Sequence, residues 1–380
     1  MHSFREYLYF LWKKASEKQS RKKYEGHFHD DIERFNQCKE RKPKGQIDRE
    51  MRVLAKYWGC YPYQYYRYDF YRRDCQVTVS EMKDYIPNFF MYSLFFPRSF
   101  MDYGILCEHK GITYPFLAGN KIPQPRMLFR WDDQKFYDEF NTPVSPARID
   151  ELISQSTAAK IFVKPSFGLG GKGIMVFGRK GENAFADEAG DKLTAAYFRD
   201  TVRDGFYVVQ EGVLQNSEMS GLYPNSVNTF RIVTECIKGE SRIVYSLIRM
   251  GRGGKQVDNA SSGGLYIKID PASGILHDYA FSHNRIKFDV HPDTGFIFNN
   301  AKIKHWEEVK DFILLVSKKF REIKYLGWDV AISEEGPLII EINNGPDIEL
   351  IQDFYGGIRQ DMHVEPLSWW YNSKYTLKDL

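Results

Sequence analysis

The sequence predicts an α+β protein: a helical, aromatic-rich opening followed by a long strand-rich region. Three observations lead there. Residues 1–50 are polar and helical in character, with Lys and Arg exceeding Asp and Glu. From residue 160 onward, short runs rich in Val, Ile, Phe and Thr recur in pairs across glycine-bearing turns, which is the pattern of β-hairpins. One late segment, His305–Ile323, instead repeats Trp306, Val309, Phe312, Ile313, Val316 and Phe320 at helical spacing and reads as a core-facing helix.

Composition narrows the function classes. A chain of 380 residues can hold two or three domains and a substantial core. A net charge of +3 is too small to argue for nucleic acid or a strongly anionic partner. The five cysteines, Cys38, Cys60, Cys75, Cys107 and Cys236, form no CxxC pair. They argue against a disulfide framework or a zinc site and fit a reducing compartment, taken here as the cytoplasm. No apolar run approaches the length of a membrane span. The opening MHSFREYLYFLWKKASEKQSRKK lacks a signal-peptide core and reads as a helix packed on its own domain, with a membrane-surface amphipathic helix as the rarer alternative.

In chain order, KERKPKGQ at 39–46 is an exposed turn or loop. Residues 51–103 carry the aromatic excess, in KYWGCYPYQYYRYDFYRRD and NFFMYSLFFPRSF. Core and interface packing is the favoured reading; a carbohydrate surface and single-strand stacking are the alternatives. Within the proline-rich stretch 104–150, Asp132–Phe140 predicts a short helix with an acidic first turn, ended by Asn141-Thr142-Pro143.

The strands begin at Lys160–Lys164 and Gly173–Phe177, which flank PSFGLGGK. This is no Walker A loop, since the GxxxxGK[ST] spacing is absent and a strand follows. Gly168, Gly170, Gly171 and Gly173 around Lys172 can still bring backbone N–H groups close to an anion, with a plain mobile hairpin tip as the alternative. Gly205–Val213 predicts a further strand, whose polar end at Glu211 and Val213 could hydrogen-bond an adenine; Glu218 is either a ribose acceptor or an ordinary loop acid. Asn228–Ile237 and Arg242–Arg249 predict a hairpin about Lys238-Gly239-Glu240, with Arg231 and Arg249 as forked, permanently charged partners for phosphate or carboxylate. Asp258, Asn259, Ser261, Ser262, Gly263 and Gly264 make a small polar loop suited to substrate or phosphate.

The chemistry centres on LGWDVAISEEGPLIIEINN, residues 326–344. Leu326–Ser333 and Pro337–Asn343 predict two strands about a three-residue turn, Glu334-Glu335-Gly336. With Ser333 opposite Pro337, Asp329 faces Glu341 and Asn343 shares their side, while Val330, Ile340 and Ile342 face away. Two unpaired carboxylates in an apolar hairpin repel each other and resist desolvation, which points to a hard divalent cation such as Mg2+. The bland alternative is a solvated hairpin face.

In their order, FVKPSFGLGGKGI, VVQEGV, SVNTFRIVT, VDNASSGG and GWDVAIS…GPLIIEINN resemble the ATP-grasp superfamily, and most closely its sugar-transfer-associated branch. The resemblance spans about residues 125–355 and implies two α+β lobes clasping ATP. It divides the chain into a helical region (1–124), a small lobe with a glycine-rich lid (125–212), a large lobe with the metal site (213–355) and a tail (356–380). It implies that Lys164 holds the adenine side and α-phosphate, and that Gly168–Gly173 cover the outer phosphates. Glu211 and Val213 would frame adenine, with Gln210 in the ATP-binding set, and Glu218 would take the ribose. Asp329, Glu341 and Asn343 would bind Mg2+, and Arg231 and Arg249 would steady the transferring phosphoryl group beside Asn259 and the Ser262–Gly264 backbone. The family's earlier lysine is assigned to Lys135. His277, His283 and His291 receive no role.

The activity so implied is an ATP-dependent carboxylate–amine ligase working through an acyl phosphate, with a sugar-linked or polysaccharide-precursor substrate suggested by the branch alone. A kinase of a hydroxyl acceptor and a non-catalytic nucleotide-binding scaffold stay open beside it.

Overall fold

The computed structural model describes residues 4–97, 104–168 and 173–366. The chain divides into two compact units, Met1–Met101 with Asp347–Leu380, and Asp102–Pro346. Residues 102–124 thus belong with the strands that follow them, and 347–355 with the helical opening. Among the described residues, the α-helices of six or more residues are α1 (Phe4–Tyr24), α2 (His29–Gln37), α3 (Lys44–Trp58), α4 (Lys110–Gly119), α5 (Pro146–Gln155), α6 (Ser217–Leu222), α7 (Trp306–Ser317) and α8 (Ile348–Tyr355).

The first unit is built from α1–α3, short turns and α8. Helix α3 buries Ile47, Glu50, Leu54 and Trp58, one stripe at helical spacing, and ends at Gly59 in the left-handed region (φ 68°), where glycine carries no Cβ penalty. The aromatic run is core: Tyr63, Tyr65, Phe70 and Tyr71 are buried with Phe28, Leu54 and Met82. Phe28 and Tyr63 stack 5.0 Å apart, and the Tyr65 hydroxyl reaches a buried partner by donating to Glu50 Oε2 at 2.6 Å.

The second unit holds two antiparallel sheets. The first contains β1 (Met127–Asp132), β2 (Lys135–Tyr137), β3 (Lys160–Pro165), β4 (Met175–Lys180), β5 (Ala184–Ala186) and β6 (Phe206–Glu211), in the order β2-β1-β6-β3-β4-β5. Alternation sends Phe129, Trp131, Ile161, Val163 and Phe177 into a core shared with Ile149 and Ile153 of α5. The second contains β7 (Thr229–Ile237), β8 (Glu240–Met250), β9 (Leu265–Lys268), β10 (Ala280–Ser282), β11 (Lys287–Phe288), β12 (Tyr325–Ser333) and β13 (Gly336–Asn343), in the order β11-β10-β9-β8-β7-β12-β13. Helix α7 covers this sheet with Trp306, Val309, Ile313 and Val316, and the expected helix ends in a 3-10 turn at Lys318–Phe320.

The helix expected over Asp132–Phe140 is instead a hairpin. Asp133 and Gln134 both take positive φ (44° and 71°) in the two-residue turn between β1 and β2. The acidic pair that resembles a helix start is the turn itself. Pairing across it sets Trp131 opposite Phe136, their rings 4.6 Å apart and both buried, which a short exposed helix would forgo.

Candidate functional site

Asp329 faces Glu341 across the β12–β13 hairpin, as the spacing predicts, but by another route. The turn holds two residues, Glu334 and Glu335, so Ser333 pairs with Gly336 and not with Pro337. That one-residue offset is absorbed by a bulge at Ile340, between the pairs Val330–Ile339 and Asp329–Glu341. A bulge takes its extra residue off the alternation. Ile340 therefore lines the cleft, whereas Val330 and Ile342 are buried as expected.

Neither carboxylate lacks a partner, contrary to the premise of the sequence argument. Asp329 is 2% exposed and is gripped by two arginines. Arg231, opposite it on β7, lies with Nε 2.6 Å from Oδ1; Arg249 Nη2 donates to Oδ2 at 2.9 Å. Arg249 also donates to Thr229 Oγ1 at 2.9 Å and to Asn259 Oδ1 at 3.3 Å, and lies 3.5 Å from Asp258. Burial disfavours the Arg249 charge, but Asp258 and Asp329 outweigh it and raise its pKa. Burial pushes the Asp258 carboxyl up, against the pull of Arg249 and a hydrogen bond from Thr229. Glu341 pairs with Lys110 Nζ at 3.0 Å, and the same ammonium donates to the Gly168 carbonyl at 3.3 Å.

Strand β3 sends Ile161 and Val163 to the core and turns Phe162 and Lys164 to the cleft. Lys164 donates to Gln210 Oε1 at 3.0 Å, and burial pulls its pKa down to about 8, with Glu341 opposing and Lys110 adding to the fall. The cleft is open to solvent at its mouth. At one end Val213 offers a backbone N–H that has no partner among the described residues. Glu211 is committed: its N–H donates to Arg126 O at 2.9 Å, and its carboxylate accepts from Ser156 Oγ at 2.7 Å.

Of the residues singled out from sequence, Lys164, Gly168, Glu211, Val213, Arg249, Asn259, Asp329 and Glu341 line this cleft. Arg231 and Gln210 lie behind them, bonded to Asp329 and Lys164. Asn343 pairs with Gly327, and its side-chain amide nitrogen is buried without a partner. Gly173 is exposed with φ 76° beside Pro165, while Gly170, Gly171 and Lys172 lie outside the described residues.

Three expectations are corrected. Lys135 is exposed on the short edge strand β2, because its segment is a hairpin, and does not line the cleft. Glu218 accepts from the Lys304 N–H at 2.7 Å and pairs with His305 Nδ1 at 2.7 Å, so it braces the chain entering α7 and does not line the cleft. The Ser262, Gly263 and Gly264 N–H groups are spent inside their own loop, on the carbonyls of Asn259, Ala260 and Asn259. Gly264 is there for close packing, since a Cβ would stand 2.5 Å from Asp258 O. Sequence reasoning missed Lys110, Thr229, Ile340 and the role of Asp258. Only Asp258 carried a signal, as part of the polar loop; Lys110 opens an apolar helix far from the hairpin in sequence.

Asp329, Glu341 and Asn343 offer hard oxygen donors of the type magnesium takes. Glu341 is partly exposed to the cleft beside Asp329, whereas the unpartnered buried atom of Asn343 is its amide nitrogen, a donor. The two carboxylates fit such an ion, with Lys110 and the arginines as their present counter-charges.

A family model described as sugar-transfer associated ATP-grasp matches residues 97–359. No curated protein matches the chain. Among solved structures it is similar to a biotin carboxylase from Campylobacter jejuni, at 11% identity over 69% of this chain and 46% of that one, TM-score 0.41. It is similar to a D-alanine–D-alanine ligase from Bacillus anthracis, at 14% identity over 70% and 69%, TM-score 0.37. An L-amino acid ligase from Bacillus licheniformis gives 13% identity over 74% and 52%, TM-score 0.39. The chain spans about half the length of the first and last of these. At such distances the likenesses say nothing of chemistry, and the assignment rests on the family match. That match takes in both sheets and every residue of the cleft, and the chain belongs to the sugar-transfer associated ATP-grasp family, with the α+β ATP-grasp fold.

Proposed function

We propose that the protein is an ATP-dependent carboxylate–amine ligase that forms ADP and joins an amino acid or similar group to a sugar or a cell-surface polysaccharide precursor. The observation that carries this reading is the meeting of Lys110, Lys164 and Arg249 with Asp329 and Glu341 in one cleft. Lysine and arginine heads that face one cleft can meet the oxygens of a polyanion such as a nucleotide triphosphate. In this reading residues 125–212 act as the small lobe and 213–346 as the large lobe, the expected bound of 355 being shortened by the helix that belongs to the first unit. Five free cysteines fit a reducing, cytoplasmic setting, and no helix among the described residues is long and apolar enough to cross a membrane.

The Val213 N–H meets the adenine edge, while Lys164 and Lys110 take phosphate oxygens. Lys110 thus takes the role expected of Lys135. The Gly168–Gly173 lid closes over the outer phosphates and excludes water from the acyl phosphate. Asp329, Glu341 and Asn343 hold magnesium, which when bound supplies charge neutralisation at the phosphates. A substrate carboxylate oxygen attacks the γ-phosphorus and ADP leaves. Arg249, held in place by Asp329 and Thr229, stabilises the charge that develops. The amine then attacks the acyl carbon and inorganic phosphate departs. The substrate carboxylate is itself the nucleophile, so no side-chain nucleophile is needed.

The test is ADP release across a panel of amino acids and sugar acids paired with amines, wild type beside Glu341→Gln. Turnover that needs one acid–amine pair and is lost in the variant supports the ligase. Phosphate transfer to a lone hydroxyl acceptor makes the protein a kinase instead. ATP binding without turnover in any combination leaves a nucleotide-binding scaffold.

A further inference from the structure

We propose that Arg130 is a positioning residue of the cleft: it fixes the first turn of α4 and so places Lys110 against Glu341 and Gly168. The inference builds on the reading of the cleft as an ATP site, but concerns a residue outside the cleft. Phe129 and Trp131 point from β1 into the core, so Arg130 lies on the opposite face of the sheet. Its Nη1 donates to the Gly111 carbonyl at 3.4 Å and to Asn141 Oδ1, and its Nη2 donates to Asp132 Oδ2.

A side chain at Gly111 would press on this guanidinium and displace it. A Cβ on Gly111 would stand 2.9 Å from Arg130 Cζ and 3.0 Å from Nε. The same turn is held on its other side by the lid's root, through the Lys110 N–H to Ser166 O at 2.8 Å and a His109–Phe167 bridge. With its backbone fixed on both sides, the Lys110 side chain reaches Glu341 at 3.0 Å.

The cluster is a costly way to anchor a helix. Arg130 is 9% exposed, and His109 Nδ1, Arg130 Nε and Asp132 Oδ1 are all buried without a partner. Each such atom carries a desolvation penalty that apolar packing under α4 would avoid. What the charge provides is a planar surface that fixes the height and tilt of the turn carrying Lys110.

A double-mutant cycle on ATP affinity, read by calorimetry on the full chain, tests this. Lys110→Met weakens ATP binding about tenfold, and Arg130→Met does the same. In the double variant the loss stays near tenfold, because Arg130 acts through Lys110. Gly111→Ala keeps the arginine and improves local helix propensity. Its expected result is a several-fold affinity loss with an unchanged or raised melting temperature, which a merely stabilising role for the contact does not produce. A double variant near a hundredfold weaker overturns the proposal, as does full affinity in Gly111→Ala. If Arg130→Met fails to fold, Gly111→Ala decides alone. Wild-type protein that binds no ATP overturns both the cleft reading and this inference; a loss in Lys110→Met without one in Gly111→Ala overturns the inference only.

Discussion

Each unit contains a buried ionic cluster, and the two differ in what they open onto. In the cleft one acid, Asp329, holds two arginines, Arg231 and Arg249. In the helical unit one arginine, Arg67, faces three acids: Asp353 at 2.5 Å, Glu349 at 3.8 Å and Asp31 at 3.9 Å. The acid-rich cluster is closed off by its own unit. His27 Nε2 lies 2.7 Å from Glu349, which also accepts from the Asn88 amide, and the Asp353 side chain is fully buried. The Asp329 cluster opens on a cleft that Lys110, Lys164, Asp258 and Glu341 also line. A cluster closed within its own unit fixes a structure. Cations that face an open cleft, though matched by acids, can be shared with an incoming anion.

Variants of the two clusters break or sharpen that contrast. The largest effect expected is on stability, from Arg67→Met. Removing Arg67 takes the close cation from buried Asp353, while Asp31 keeps Arg34 and Glu349 keeps His27, and the urea midpoint should fall by the equivalent of about 3–5 kcal/mol. A loss under about 1 kcal/mol would make the two clusters equivalent. Next comes Asp329→Asn, which keeps the shape but releases both arginines. ADP release should drop on the order of 10²–10³-fold.

A smaller effect is expected from pH. Lys164 is pulled down to about 8, mainly by burial, so it is charged below that pH and neutral above it. Phosphate binding favours the charged form. ATP affinity should therefore be highest below pH 8 and fall roughly tenfold towards pH 9.5, with that slope absent in Lys164→Gln. A flat profile in the wild type would remove Lys164 from phosphate binding. The smallest effects belong to residues the cleft does not use. Lys135→Ala and Glu218→Gln should each change ATP affinity less than about twofold, while Glu218→Gln costs about 0.5–2 kcal/mol in thermal unfolding by loosening the chain into α7.

Much of the cleft could be read from the sequence because its parts lie on strands, where alternation assigns faces. That Lys164 shares a face with Phe162 on β3, and Arg231 with Thr229 on β7, follows from period two alone. The Asp329–Glu341 pair came out right through two compensating features, a tighter turn and a bulge, and the cost of ignoring the bulge was Ile340. What stayed hidden depends on contacts distant in sequence. Lys110 acquires meaning only when α4 packs beside β13, and Glu218 loses its expected task only when residues 304 and 305 arrive to bond it. The loop at 262–264 looked like a ligand cradle because small residues also serve chains that must pass close to themselves.

The division of the chain also sets a timetable for its synthesis. The second unit is one unbroken stretch, whereas the first needs α8, which is translated after all of it. Arg67 must wait 286 residues for Asp353, roughly 15–60 s at ordinary ribosome speeds, with its guanidinium lacking that partner. The sheets are therefore complete on the ribosome while the helical unit is still open. Protease protection of stalled nascent chains should accordingly appear over residues 102–346 before residues 29–82.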